Sequence, residues 1–280
     1  MASVLVIGAG VMGRGIAGIC ALSGHETFVF DADPEAQRGV RAHVESAWGR
    51  AIDKGKLTTE TAEKARHRLK VATRLKDAAA VDFAIEAVPE KMAIKHAVFA
   101  ELDAATPGHA VLASNTSGLS ITEIADATQR PDKVVGFHFF WPASYMRVIE
   151  VIEGEDTSAE TVQAASTFAQ QIRKVAIRAA ECPGFVVNRI LVSTASEAWR
   201  YQDESGTDVE QLDEFIKEQT QMPMGPFRVA DMSGLDTVVK VARDMRDAYG
   251  DRFYVHRGME ELAERGDLGA KTGKGFYEHR

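Results

Sequence analysis

Two residues of this sequence have the types and spacing needed for proton transfer. His138 lies in the apolar run at residues 134–139, and Glu150 lies in the apolar run at residues 148–152. Pro142-Ala143-Ser144-Tyr145, midway between them, has the composition of a turn. If the two runs pair as antiparallel strands around this turn, His138 and Glu150 come face to face.

Such a pair predicts acid/base chemistry. A carboxylate on one imidazole nitrogen fixes the tautomer and stabilises the imidazolium, and the other nitrogen then takes a proton from a substrate hydroxyl. A glutamate in an apolar run is rare unless it is paired. We therefore predict that His138 is the general acid/base and Glu150 its partner. A structural salt bridge within the hairpin is compatible with the same pattern.

The remaining histidines lie in polar or helical contexts, and we expect them at the surface. They are His25, His43, His67, His96, His109, His256 and His279.

A glycine-rich turn near the N-terminus predicts a dinucleotide site. Gly8-Ala9-Gly10-Val11-Met12-Gly13 directly follows the apolar run at residues 4–7 and opens a helical pattern. The first glycine permits the tight turn, the second lets a pyrophosphate approach the backbone, and the third lets helix and strand pack closely. The helix would then present its free N–H groups to the phosphates.

Asp31 adds a second element to this site. It ends the next apolar run, 18 residues after Gly13, where an acid binds both ribose hydroxyls. An acid there repels a 2′-phosphate and no arginine follows it, so the sequence favours NAD over NADP. The alternative interpretation is an ordinary turn residue at the end of a strand.

The elements that must position these residues follow an alternating pattern. Apolar runs at 4–7, 27–30, 83–87, 110–113 and 134–139 are separated by helix-like segments, including 34–53, 58–69 and 92–103. This alternation predicts an α/β fold whose doubly wound parallel sheet carries helices on both faces. Segments 34–53 and 58–69 should form a helical hairpin that turns at Lys54-Gly55-Lys56.

The pattern changes near residue 183. A helix at 158–173 and a strand at 175–179 come before Pro183, and later segments are helical: 185–204, 208–219, 235–249 and 259–265. Pro183 suits the first turn of a helix. We therefore expect an NAD-binding domain at residues 1–183 and an all-helical domain at residues 184–280, with the first long helix bridging the two.

Composition excludes several classes of protein. The chain has 280 residues, 45% of them hydrophobic and 26% charged, and a net charge of -8. We expect no nucleic-acid or membrane partner, because basic runs and long apolar segments are absent from the sequence. Two cysteines make no disulfide framework or metal cluster. The N-terminus lacks the features of a signal peptide, so a cytoplasmic location is expected.

Taken together, these motifs resemble the L-3-hydroxyacyl-CoA dehydrogenase family, and most closely its short 3-hydroxybutyryl-CoA type. The resemblance covers essentially the whole chain. Further motifs that carry it are Glu86-Ala87-Val88-Pro89-Glu90, Ser114-Asn115-Thr116-Ser117, Pro183-Gly184-Phe185-Val186-Val187-Asn188-Arg189, Pro223-Met224-Gly225-Pro226 and Lys271-Thr272-Gly273-Lys274-Gly275-Phe276-Tyr277. The implied fold is an N-terminal Rossmann-type sheet followed by an all-helical C-terminal domain.

The resemblance implies roles for matching residues. His138 and Glu150 would be the acid/base pair. Ser117 and Asn188 would hydrogen-bond the reacting oxygen or the thioester carbonyl, although a turn residue and an exposed helix residue are the plainer interpretations. Beside the nicotinamide and its ribose would lie Glu90, Lys95 and Asn115. The implied reaction is reversible oxidation of a 3-hydroxyacyl-CoA to the 3-oxoacyl-CoA with NAD as cofactor.

The resemblance also implies an acyl-CoA site and a homodimer. Candidate residues for the CoA tail are Ser46, Lys54 and Lys56, for which a solvated helix face and turn is an equal alternative. The dimer contact would come from the C-terminal domain. The apolar faces of residues 185–199 and 235–249 are candidates for it, and they could equally be ordinary core.

One position departs from the family. Trp141 stands where the family usually has a small polar residue, most often asparagine, before the proline. An indole three residues after His138 would narrow the pocket or stack on the substrate. We therefore include Trp141 among the substrate-binding candidates and expect a short or an unusual acyl group.

Three alternatives stay open. A related enzyme could act on a free hydroxy compound such as carnitine or a sugar acid, keeping His138 and Glu150 without a CoA site. A catalytically weak NAD-binding sensor would have no need of the set Ser117, His138, Glu150 and Asn188. The β-hydroxyacid dehydrogenases that use a catalytic lysine share the glycine turn but lack the His–Glu hairpin.

Overall fold

The structure, a computed structural model, describes residues 1–78 and 80–279. The chain divides into two compact units, Met1–Phe185 and Val186–Arg280. The first unit contains the sheet, and the second is built from helices.

Over the described residues the first unit contains one eight-stranded sheet. The strands are β1 (Ser3–Ile7), β2 (Glu26–Phe30), β3 (Leu69–Val71), β4 (Phe83–Glu86), β5 (Val111–Ser114), β6 (Val134–Phe139), β7 (Val148–Glu153) and β8 (Val175–Ala180). Their order is β3-β2-β1-β4-β5-β6-β7-β8, and neighbours are parallel except for the antiparallel pair β6 and β7. The chain reverses its direction of winding between β1 and β4, where open α/β sheets bind ligands.

Helices connect these strands. They are α1 (Val11–Leu22), α2 (Pro34–Asp53), α3 (Thr59–Arg68), α4 (Met92–Ala105), α5 (Ile121–Ala125) and α6 (Ala159–Gln171). Several begin where a side chain accepts a backbone N–H, as Asp33 does from Glu35 and Thr58 from Thr61. Side chains of the strands and of the facing helices form one core, in which Val6, Ile85 and Val135 are fully buried.

The second unit has its own core. Its helices are α7 (Val187–Ser205), α8 (Val209–Thr220), α9 (Pro226–Ser233), α10 (Leu235–Tyr249) and α11 (Arg257–Arg265). Phe227, Leu235 and Met259 are among its buried apolar residues.

The predicted fold class is confirmed: a mostly parallel α/β sheet is followed by a helical region. Three short strands or α-helices escaped prediction, one of them the five-residue helix α5. Strand β3 has only three residues, too few to show a period, and α9 begins at Pro226 within a Gly- and Pro-rich segment that looks like a loop. Among the residues the structure describes, no helix is long and apolar enough to cross a membrane.

The sequence suggested that Pro183 opens a helix, and this prediction was wrong. Gly184 and Phe185 have φ values of 74° and 49°, outside the helical region, and α7 begins only at Val187. The proline therefore belongs to a turn that precedes the helix.

The expectation that seven histidines lie at the surface was wrong for His25 and His256, and His279 is only partly exposed. His25 and His256 are buried. His256 caps α11, and His279 contacts the buried carboxylate of Asp231. Tertiary packing covers these rings, and a local polar context cannot reveal it.

Candidate active site

The glycine turn meets the geometric demands predicted for it. Gly8 has φ 103°, and a Cβ there would stand 2.5 Å from the carbonyl oxygen of Ala87, just after β4. A Cβ on Gly13 would stand 1.8 Å from the Gly8 carbonyl oxygen, so only glycine lets α1 pack against this turn. The turn therefore lies at the switch point between β1 and β4.

Gly10 differs from its two neighbours in the motif. Among the described residues, no atom lies within 4 Å of a Cβ placed on it, and its backbone is extended at φ −68° and ψ −172°. The protein's own packing gives no reason for glycine at this position. Space left open beside the backbone at the N-terminus of α1 fits a bound pyrophosphate. Val11, the first residue of α1, is exposed beside it, and Met12 packs against the core.

Asp31 follows β2 and ties the glycine turn to the second strand. Its Oδ2 accepts the Ala9 N–H at 2.6 Å, and its Oδ1 accepts the Asp33 N–H at 2.9 Å. The carboxylate is therefore held in one orientation next to the turn. A carboxylate there fits the ribose hydroxyls of NAD and disfavours a 2′-phosphate.

His138 and Glu150 form a buried pair. They are direct partners in the antiparallel register of β6 and β7, as predicted, and His138 Nδ1 lies 2.8 Å from Glu150 Oε2. The side chains are 5% and 0% exposed. Phe140 packs on the imidazole with ring centroids 4.5 Å apart, and Phe185 follows at 6.0 Å. A low-dielectric surrounding of this kind strengthens the interaction between ring and carboxylate.

Asn115 joins two strand ends next to this pair. It follows β5, and its Oδ1 accepts the Phe139 N–H at 2.9 Å. Its own N–H donates to the Glu86 carbonyl at 2.8 Å. The side chain thus braces the backbone immediately after His138, and the strand ends of β4, β5 and β6 are fixed relative to one another.

A second polar network orders the loop after β5. The buried ammonium of Lys95, on α4, lies 2.7 Å from Glu86 Oε1 and 3.1 Å from Glu90 Oε2. Glu90 Oε1 in turn accepts the Thr116 hydroxyl at 2.6 Å and the Ser117 N–H at 2.8 Å. Lys95 is thus buried between two carboxylates, next to the place that the family resemblance implies for the nicotinamide ribose. Glu90 and Ser117 remain exposed to solvent.

Sequence reasoning missed the residues that complete this network. Glu86 is fully buried and also accepts from the Ser114 hydroxyl at 2.7 Å and from the Val88 N–H at 2.8 Å. Thr116 carries the link to Glu90. The signal for Glu86 was present, because it ends an apolar strand just as Glu150 sits inside one, and a buried glutamate demands partners.

Trp141 and the three candidate residues for the CoA tail are all exposed. Trp141 and Tyr145, in the turn between β6 and β7, are 53% and 59% exposed. Lys56, in the turn between α2 and α3, places its ammonium 5.3 Å from the centre of the Tyr145 ring. Lys54 caps the end of α2 and is exposed. Ser46 is exposed on α2, and its hydroxyl accepts from Arg50 at 2.8 Å.

Asn188 lies in the second unit, as the second residue of α7. Next to it, the Arg189 guanidinium stacks over the Tyr249 ring at 4.2 Å. Asn188 therefore stays a candidate on the family resemblance.

Two buried carboxylates explain the motifs near the C-terminus. Asp231 accepts the N–H groups of Phe276 and Tyr277 at 3.0 and 2.9 Å, and Asp213 accepts those of Phe227 and Arg228 at 3.0 and 2.8 Å. The Tyr277 hydroxyl donates to Asp213 at 2.7 Å; burial, together with this bond, raises the pKa of Tyr277. These motifs hold α9 and the C-terminal tail in place.

The glycine turn and Asp31, which fit the cofactor, thus lie at the same edge of one sheet as His138, which can transfer a proton. Oxidation of an alcohol carbon needs both functions, because the carbon loses a hydride while its oxygen loses a proton. The fold and site therefore define an NAD-dependent dehydrogenase. Within the described residues, no cluster of side chains is suited to hold a metal ion.

Comparison with known proteins gives the family. Residues 3–182 match the 3-hydroxyacyl-CoA dehydrogenase NAD binding domain, and residues 184–279 match the 3-hydroxyacyl-CoA dehydrogenase C-terminal domain. The chain belongs to the 3-hydroxyacyl-CoA dehydrogenase family.

Similar proteins cover the full length of the chain. A probable 3-hydroxybutyryl-CoA dehydrogenase of Bacillus subtilis is 37% identical over 277 residues, which are 99% of this chain and 96% of that protein. The structure of (S)-3-hydroxybutyryl-CoA dehydrogenase PaaH1 from Ralstonia eutropha has a TM-score of 0.94 and 36% identity, with 99% of each chain covered. That of M. tuberculosis FadB2 has a TM-score of 0.95 and 34% identity, covering 99% of this chain and 98% of the other.

Proposed function

We propose that this enzyme interconverts a short-chain L-3-hydroxyacyl-CoA, such as 3-hydroxybutyryl-CoA, and its 3-oxoacyl-CoA, with His138 as the general acid/base. The observation that carries the assignment is the 2.8 Å contact between His138 Nδ1 and Glu150 Oε2 in a buried site at the end of β6. The names of the full-length relatives support the short acyl chain.

His138 moves the proton in this proposal. Glu150 holds the Nδ1–H, so the neutral ring presents the lone pair of Nε2 to the substrate 3-hydroxyl. As the proton transfers, the buried carboxylate stabilises the imidazolium. In the reverse direction the imidazolium returns the proton to the 3-oxo oxygen. Bound NAD supplies the acceptor for the hydride that leaves C3.

Other residues bind and orient the substrate and the cofactor. Ser117 and Asn188 donate hydrogen bonds to the reacting oxygen or the thioester carbonyl, and Asn115, Glu90 and Lys95 order the loop beside the nicotinamide. The glycine turn and Asp31 hold the pyrophosphate and the adenosine ribose. Ser46, Lys54 and Lys56 would contact the CoA tail, for which the exposed ammonium groups of Lys54 and Lys56 supply positive charge.

The two domains take separate tasks in this proposal: residues 1–183 bind NAD, and residues 184–280 contribute substrate contacts and the homodimer interface. Exposed Ile190 and Leu191 on α7 support an apolar contact. The apolar face of α10 is core, since Leu235, Val239 and Met245 are buried there. A cytoplasmic location is consistent with two free cysteines.

The test is NADH oxidation by the purified protein with acetoacetyl-CoA, in parallel with free acetoacetate. We expect turnover of the thioester and at least tenfold lower kcat/KM for the free acid, because CoA contributes binding energy away from the reacting carbon. A protein that binds NADH but turns over only the free acid would contradict the proposal and favour an enzyme of free hydroxy compounds. Sedimentation of the same sample tests the dimer.

A further inference from the structure

Lys174 is a buried lysine whose ammonium binds backbone carbonyls. It lies between α6 and β8 and is 8% exposed. Its Nζ is 2.6 Å from the carbonyl oxygen of Ala143 and 2.6 Å from that of Met146. Within the described part of the chain, no carboxylate forms an ion pair with it. Burial lowers the pKa of Lys174 below its ordinary value.

The two carbonyls belong to the turn that joins β6 to β7. Inside this turn the N–H groups of Tyr145 and Met146 donate to the Pro142 carbonyl at 2.9 and 3.0 Å. These bonds leave the carbonyls of Ala143 and Met146 for another donor. An ammonium is a strong donor to these two carbonyl oxygens, because charge-assisted hydrogen bonds are stronger than hydrogen bonds between neutral groups.

The backbone around Lys174 is shaped for this contact. Arg173 has φ 60°, a conformation that favours glycine, and its N–H donates to the Gln170 carbonyl at 2.9 Å. The Val175 N–H then donates to the Arg147 carbonyl at 2.7 Å. Segment 173–175 is therefore joined to the β6–β7 turn by main chain and side chain together.

The same turn closes the hairpin that carries the acid/base pair. The ladder between β6 and β7 ends at Phe139 and Ile149, one pair beyond His138 and Glu150. Only the pair Phe139 and Ile149 separates His138 and Glu150 from the turn, so a movement of the turn displaces them. A slip of β7 by one residue relative to β6 would turn Glu150 to the opposite face of the sheet. Trp141 and Tyr145 are carried by the same turn.

We propose that Lys174 is a positioning residue for catalysis: its ammonium clamps the carbonyls of Ala143 and Met146 and thereby keeps Glu150 aligned on His138. The role rests on the proposed function, because it acts through the proton transfer assigned to His138. Loss of the clamp should lower kcat while the glycine turn still binds NADH normally.

The test compares Lys174→Met, which keeps the length and removes the donor, with Lys174→Arg, which keeps donors. Lys133→Met is the matched control, since Lys133 directly precedes the first residue of β6, far from the turn, and pairs with Asp132. We measure kcat, the KM for acetoacetyl-CoA, the dissociation constant for NADH, and hydrogen exchange at the Tyr145 and Met146 amides.

We expect Lys174→Met to lower kcat by about tenfold to a hundredfold, the scale of a small misplacement of a catalytic group. NADH affinity should stay within about twofold, exchange should accelerate at the two turn amides alone, and Lys174→Arg should recover most of kcat. Lys133→Met should behave as the wild type. If Lys174→Met does not fold, Lys174→Gln takes its place; its shorter, neutral amide is a weaker donor, so it should lower kcat less than the loss of the donor would, and still below that of Lys174→Arg.

Unchanged kcat in a variant with accelerated turn exchange would overturn the positioning role. So would a loss of activity that is accompanied by weaker NADH binding and faster exchange throughout the sheet, because general destabilisation would then explain it. A wild type that is inactive on acetoacetyl-CoA would instead contradict the proposed function itself, and the positioning role would fall with it.

Discussion

Glu150 lies directly opposite His138 across the antiparallel pair β6 and β7, with its Oε2 2.8 Å from the imidazole Nδ1. Every other pair of neighbouring strands in the described sheet is parallel. The one antiparallel junction in the described sheet therefore carries the acid/base candidate. A hairpin allows this because residues equally distant from its turn meet face to face.

Replacement of the carboxylate tests this relationship. We expect Glu150→Gln to lower kcat by about a hundredfold, because a neutral amide stabilises the imidazolium poorly and no longer enforces one tautomer. Glu153→Gln is the control, since Glu153 lies on the same strand but pairs with exposed Arg178. Steady-state kinetics with acetoacetyl-CoA measure the effect, and equal activity in the two variants would remove Glu150 from the mechanism.

The glycine turn predicts opposite outcomes for two alanine variants. Gly13→Ala places a Cβ 1.8 Å from the Gly8 carbonyl oxygen, so it should destabilise the fold. Gly10→Ala meets no described atom within 4 Å, so its melting temperature should stay near that of the wild type while NADH affinity falls at least tenfold.

Thermal melts and NADH titration separate the two effects. Gly49→Ala on α2 is the control for added helix propensity, worth up to about 1 kcal/mol. Full NADH affinity in Gly10→Ala would show that the open space beside the backbone is not the pyrophosphate site.

Trp141 should limit the acyl group. Its exposed indole stands two residues beyond the end of β6, and an asparagine there would widen the space above the hairpin. We expect Trp141→Asn to raise kcat/KM for a 3-oxooctanoyl thioester relative to acetoacetyl-CoA by about tenfold or more, the scale of a few methylenes in a pocket. The exposed Phe215 on α8 supplies a control, Phe215→Asn. An unaltered chain-length profile would place the indole outside the acyl path.

Acid should weaken the second unit through His256. Its Nδ1 accepts the Met259 N–H at 3.0 Å and its Nε2 lies 2.7 Å from Gln202 Oε1, so the neutral ring caps α11. Burial is the main cause that lowers the pKa of His256, with Arg257 acting in the same direction, while Asp203 and Glu261 oppose them.

The sign follows from the proton balance. As the pH falls, His256 of the unfolded chain takes up a proton near its ordinary pKa of 6.5, and His256 of the folded chain does so only at lower pH. The contribution of the neutral His256 ring to folding stability is therefore fully present above pH 6.5 and is lost as the pH falls below it. His256→Asn keeps a capping acceptor and does not titrate, so its unfolding free energy should fall less between pH 7 and pH 5.5. His43→Asn, at an exposed position of α2, should keep the wild-type slope, and a wild-type slope in His256→Asn would exclude His256 as the cause.

Local patterns predicted much of this architecture. The glycine turn, the hairpin register of His138 and Glu150, and the alternation of strands and helices follow from spacing and period, which the chain carries locally. The hydrogen bonds from Ser114 to Glu86 and from Thr116 and Ser117 to Glu90 join the end of β5 to β4 and the loop after it. The sheet order makes these two strand ends neighbours, so the sequence alone did not predict the bonds between them.

The missed features have related causes. Strand β3 is three residues long, and α9 depends on the Asp213 carboxylate that caps it from another helix. The burial of His256 depends on Phe227 and Phe276, which come from distant parts of the chain. Lys174 carried no sequence signal, because a lysine between a helix and a strand is usually solvated.

The most direct test of the account is single-turnover reduction of acetoacetyl-CoA by NADH-bound wild-type enzyme and His138→Gln. The account predicts that His138→Gln binds NADH as tightly as the wild type and loses at least about a hundredfold in the rate of the chemical step, since positioned acid/base groups contribute on that scale. His109→Gln, at an exposed histidine paired with Asp82, should react at the wild-type rate. A His138→Gln enzyme that keeps more than about a tenth of the wild-type rate would contradict the assignment of His138 as the acid/base.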